Sequence, residues 1–194
     1  MKGYWFSDSE GWTKNMRDHM KTPAEVGRTH KVGGEIVPCY RGLHASPTPL
    51  DALNYACGGT LWEVEIPETA IPHGNPVDKY VSHTRKYIRR ADISEGLFWQ
   101  FASQCALDVI HLWDPPAIVK EYLADEAQGI DRSDIRAAAW DAARAAATTA
   151  ATAAAAARAA AGDAAAATTA AGDAAREKMS SRFSKMVMAE FSKR

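Results

Sequence analysis

Sulfur chemistry is scarce in this chain: its three cysteines, Cys39, Cys57 and Cys105, are odd in number and lack the paired short spacing of a zinc site. Neither a disulfide framework nor a structural metal is expected, and reduced, mostly buried thiols are. Long apolar runs are absent as well. No stretch of about 18 bulky apolar residues occurs, and the opening MKGYWFSDSEGW is too polar for a secretory signal, so a protein without membrane contact is expected in the cytoplasm. Excess charge of either sign is missing too. Twenty-three basic residues face 24 acidic ones, which excludes a polycation that coats nucleic acid. Walker loops, dinucleotide-binding glycine patterns and zinc-hydrolase motifs do not occur, and no metal or cofactor is expected.

What the chain has in excess is alanine, at 26 of the 40 residues from Ala137 to Arg176. Alanine is the strongest helix former, but its methyl group buries too little area for an ordinary core. Such helices must pack very closely or oligomerise. Unbroken, the run would span roughly 60 Å. The pairs Gly162-Asp163 and Gly172-Asp173 leave two readings open, a turn between helices or a weak point in one helix. From Lys178 to Arg194, the apolar stripe Met179, Phe183, Met186, Val187 and Phe191 marks an amphipathic helix expected to dock on the alanine run. Residues 1–123 read as a small α+β domain, with an antiparallel or mixed sheet and flanking helices. Residues 124–133 read as a linker, and 134–194 as an alanine-rich, all-helical C-terminal extension.

Within the front part, Val26 to Lys31 and Glu35 to Tyr40 read as strands, the first followed by a Gly33-Gly34 turn. Ser46 or Thr48 is placed to cap a helix that begins at Pro49, and Gly58-Gly59 to end it. Thr60 to Ile66 alternates strictly, setting Trp62, Val64 and Ile66 against Leu61, Glu63 and Glu65. Lys79 to Ile88 reads as one more strand and Asp92 to Ile110 as a helix. Asp114-Pro115-Pro116 then opens a shorter helix.

Two clusters carry potential chemistry. Tyr40-Arg41-Gly42-Leu43-His44-Ala45-Ser46 sits at a strand end before a helix, where backbone N–H groups and the Arg41 fork suit an anion. Lys79 to Arg90 interleaves basic residues with Tyr80 and Tyr87, a pattern that can hold phosphates and stack bases. The expected ligand-binding set is Arg41, His44, Ser46, Tyr55 and Arg85, with both clusters converging on one small sheet. No catalytic set is assigned: Ser46 and His44 lack an orienting acid, and Glu63 and Glu65 read as exposed charges.

The order Cys39-Tyr40-Arg41-Gly42-Leu43-His44-Ala45-Ser46, then Pro49-Leu50-Asp51-Ala52-Leu53-Asn54-Tyr55, then Leu61-Trp62-Glu63-Val64-Glu65 resembles an uncharacterised bacteriophage and prophage domain family. Its members carry a cysteine, Gly-Phe/Leu-His-Ala, and Pro-Leu-Asp with a tyrosine, and some have an alanine-rich helical tail. A second similarity is to ADP-ribosyltransferase-like folds, through Tyr40-Arg41-Gly42, Ala52-Leu53-Asn54-Tyr55-Ala56 and Glu63-Val64-Glu65. The resemblances imply a phage accessory protein of the host cytoplasm that binds a nucleotide-like or ADP-ribose-like ligand and sequesters a host defence signal. Two alternatives stand beside it. One is a homo-oligomer that engages a host protein through its alanine-rich helices, and the other an ADP-ribosyltransferase-like enzyme that uses NAD and a Glu63 or Glu65 carboxylate.

Overall fold

A computed structural model describes residues 1–12, 22–112, 114–130 and 165–193. The fold is α+β, with antiparallel sheets and a C-terminal helix. Most of the alanine-rich run, including Gly162-Asp163, and the residues that complete the expected linker lie outside the described residues. The chain divides into two compact units, Met1–Ser94 with Ser180–Arg194, and Glu95–Met179.

The first unit is built on two sheets. Strands β1 (Lys2–Ser7), β2 (Thr29–Lys31), β4 (Thr60–Glu65) and β7 (Thr84–Asp92) form an antiparallel sheet in the order β1-β4-β7-β2, and β3 (Leu43–Ala45), β5 (Ile71–His73) and β6 (Lys79–Ser82) form a second in the order β3-β6-β5. The two are tied where Tyr4 and Ser46 exchange backbone hydrogen bonds of 2.9 and 2.8 Å. The alternation read in β4 holds: Trp62, Val64 and Ile66 join Ala45 and Tyr87 in one buried cluster, with Trp5 and Tyr80 packed against it. Edge contacts between rings, such as Trp62 with Tyr87 at 5.3 Å between centroids, supplement the buried area.

Lys79 to Ile88 is not one strand. The chain leaves the small sheet after Ser82 and enters the large one at Thr84, with His83 at the corner. A bulge then places Val64 opposite Tyr87 but Glu63 opposite Arg89, leaving Ile88 over. One extra residue reverses a strand's alternation. The basic cluster is thereby divided: Arg85 and Tyr87 face the core with Trp62, while Arg89 joins Lys2 on Glu63 across the other face.

That other face is covered by the closing helix. Phe183, Val187 and Phe191 are buried, and the Arg89 guanidinium lies 4.9 Å from the Phe191 ring centre. The stripe expected to dock on the alanine run thus packs in the same unit as the strands, whose larger side chains offer it more area than methyl groups do. Gly172-Asp173 does not interrupt this helix (Ala165–Phe191). A single glycine in a helix loses only about 1 kcal/mol relative to alanine, and the surrounding turns supply that.

In the second unit, Glu95–Val109 and Ala117–Ala127 are α-helices separated by the Asp114-Pro115-Pro116 break. Gln100 and Gln104 donate from one helix to the Ala127 carbonyl that ends the other, at 3.1 and 3.4 Å. The second of these helices takes in the start of the expected linker. No helix among the described residues is long and apolar enough to cross a membrane.

Candidate functional site

The segment read as a strand from Glu35 to Tyr40 is instead a tight loop. Pro38 cannot donate to a ladder, and Cys39 stands in the left-handed region at φ 67°. Val37 and Arg41 close the loop with backbone bonds of 2.9 and 2.7 Å. Gly42 then leads into β3 at φ 141°, where a Cβ would come 2.2 Å from a methyl of Val81. The crowding and the dihedral together admit only glycine.

Beside this loop lies an open cleft of about 1070 Å³, and all five expected site residues, Arg41, His44, Ser46, Tyr55 and Arg85, line it. Only the start of the basic cluster meets the first cluster in the small sheet, where His44 on β3 pairs with Val81 on β6; Arg85 reaches the cleft from β7 of the large sheet. Lys31, Arg41, Lys79 and Arg85 bring four cationic side chains to the cleft, and no carboxylate lines it among the described residues. Rings of Tyr4, Trp5, Tyr40 and Tyr55 complete the wall, with Tyr40 88% exposed at the rim.

The five stand in different surroundings. The exposed Arg41 guanidinium rests against Gly34. His44 accepts the Cys39 backbone N–H at its Nε2, 3.3 Å away, which leaves the ring proton on Nδ1. Burial first, then the charges of Arg85 and Lys79 and the neighbouring His73, depress this ring to about 4, so it is neutral at pH 7. Tyr55 donates its hydroxyl to Asp78, which raises its pKa, and its ring lies 4.1 Å beneath the Lys79 ammonium.

Arg85 is buried and forms the floor. Its guanidinium stacks 3.8 Å from the Trp5 ring centre, donates to the His44 carbonyl at 2.6 Å and donates to the Tyr87 hydroxyl through Nε and Nη2 at 3.2 and 2.9 Å. Removal from water pushes it below its ordinary pKa, partly offset by Tyr87. The Tyr87 hydroxyl, which accepts from arginine, donates its O–H to His30 Nδ1 at 2.8 Å.

Ser46 does not cap the following helix. It is consumed in the bridge to Tyr4, and Thr48 caps Pro49–Leu53 by accepting from the Asp51 N–H at 3.1 Å while donating to the Asp51 carboxylate at 2.7 Å. The expected anion seat at that helix start is therefore closed by its own capping pair. Glu63 and Glu65 do not line the cleft. Burial opposes the charge on Glu63, but Lys2 and Arg89 outweigh it and hold the carboxyl below its usual value.

Three cleft-side residues escaped the sequence reading as a group. Lys79 is 7% exposed, Cys39 lies beside it, and His73 on β5 brings its Nε2 to 3.5 Å from the Cys39 sulfur. Only Lys79 carried a signal, as part of the basic cluster. No cluster of three or more His, Cys, Asp and Glu groups among the described residues is placed to hold a metal ion. No protein-family model, curated protein or solved structure matches this chain.

Proposed function

We propose that this chain is a phage accessory protein whose cleft is a non-catalytic binding module for a nucleotide-like or ADP-ribose-like ligand, sequestering a host defence signal in the host cytoplasm. One observation carries the reading: four cationic side chains and several aromatic rings share one cleft that no described carboxylate lines. Phosphate oxygens suit Arg41 and Lys79, and a base suits the exposed face of Tyr40. The neutral Nδ1–H of His44 offers a donor to a carbonyl or hydroxyl without repelling a cation beside it.

The transferase reading calls for a carboxylate at the ligand, and Glu63 and Glu65 stand outside the cleft. The reading as an oligomer built through alanine-rich helices rests mostly on residues outside those described.

Calorimetric titration of the full chain with ADP-ribose tests the proposal. Saturable binding is expected, weakened about tenfold or more in Lys79→Ala, since a charged hydrogen bond contributes about 1.5–3 kcal/mol. Absence of binding by ADP-ribose and AMP, together with no small molecule released on denaturing the protein purified from a bacterial lysate, refutes it.

A further inference from the structure

Two exposed thiols, Cys39 and Cys57, line the same cleft in opposite surroundings. Cys57 faces carbonyl oxygens of Phe6 and Trp12, at 3.9 and 3.8 Å, and burial and the Asp8 charge hold its proton on. Cys39 faces an imidazole and an ammonium. Its sulfur is 3.5 Å from His73 Nε2, and Lys79 lies within hydrogen-bonding reach of it.

Lys79 adds a fixed positive charge to this Cys39–His73 pair. It is 7% exposed, lines the cleft, and has no carboxylate partner among the described residues. Its neighbours are the Tyr55 ring and hydroxyl and the Cys39 sulfur. Burial works against its charge, yet these acceptors outweigh that and hold the ammonium above its ordinary pKa. These partners keep a full positive charge on the cleft wall beside the Cys39 sulfur, which favours an anion in the space it faces. Reactive cysteines occupy such electropositive, accessible places.

We propose that Cys39 is a thiol–disulfide exchange site for an anionic low-molecular-weight disulfide of the glutathione type. His73 Nε2 takes the Sγ–H proton. The thiolate attacks one sulfur of the disulfide, the old S–S bond breaks as the new one forms, and the leaving thiolate recovers the proton from His73. One protein thiol and one disulfide give one mixed disulfide and one small thiol, with no other oxidant. Lys79, Arg41 and Lys31 supply the field that favours an anionic partner. The inference shares the cations of the cleft with the nucleotide reading, but its test reads the Cys39 sulfur alone and stands or falls apart from nucleotide binding.

The test is incubation of the full chain with glutathione disulfide, acid quenching and peptide mass mapping over time. Cys39 is expected to form the mixed disulfide about tenfold or more faster than Cys57. His73→Ala, a change on the exposed edge strand β5, should slow Cys39 several-fold and leave Cys57 unchanged as the internal control for folding. Cystamine, a cationic disulfide, should react more slowly than glutathione disulfide at Cys39, and Lys79→Gln should narrow that difference. Labelling of Cys57 at an equal or greater rate, indifference of Cys39 to His73→Ala, or a faster reaction with cystamine overturns the proposal.

Discussion

Acidification from pH 7 to pH 5 should destabilise this protein through His44, and the structure sets the size of the effect. The ring titrates at about 4 in the folded chain, against a reference value of about 6.5 in an unfolded one. Between those values the unfolded state binds more protons, so stability is full above about pH 6.5 and declines as the pH falls toward 4. At pH 5 the linkage amounts to about 2 kcal/mol. Because the ring is only partly buried, solvent screening reduces the expected loss to about 1–2 kcal/mol. His30, whose pKa is also lowered by burial and by Arg85 and Arg28, acts with the same sign, as do other groups, so a difference measurement is needed. His44→Gln keeps an acceptor for the Cys39 N–H and removes the titration. Urea unfolding at pH 7 and pH 5, followed by the fluorescence of buried Trp62 and its neighbour Trp5, should show the variant losing about 1–2 kcal/mol less than the parent over this interval. Equal losses, within about 0.5 kcal/mol, would sink the assignment of a buried neutral imidazole.

Tyr87→Phe strips the acceptor from two Arg85 N–H groups and the donor from His30 in a fully buried place, and should destabilise by about 2–4 kcal/mol in urea unfolding; a loss below about 1 kcal/mol would contradict the network. Gly42→Ala forces a Cβ against Val81 at a left-handed dihedral and should lose about 3 kcal/mol or more, whereas a melting temperature within about 2 °C of the parent would show that the loop does not enter β3 as described.

The local sequence by itself determined the elements whose signals are periodic or stereochemical. Strict alternation from Thr60 to Ile66 specified β4 and its core face, because side chains on a strand can only point to two sides. Proline at position 49 after a capping threonine specified a helix start, because its missing N–H has no helical partner there. Apolar spacing located the helix Glu95–Val109 and the amphipathic stripe of the last helix. Only tertiary structure decided what depends on distant partners. A bulge at Ile88 and a change of sheet at His83 split the basic cluster, sending Arg85 to the cleft floor and Arg89 to Glu63, and neither follows from the residues between Lys79 and Arg90 alone. The closing stripe found a sheet face to cover. Cys39 and His73 stand 34 positions apart and meet because a loop, a strand pairing and a left-handed residue set their backbones. Periodicity records which way a side chain points within its own element, and carries no information about which other element it will face.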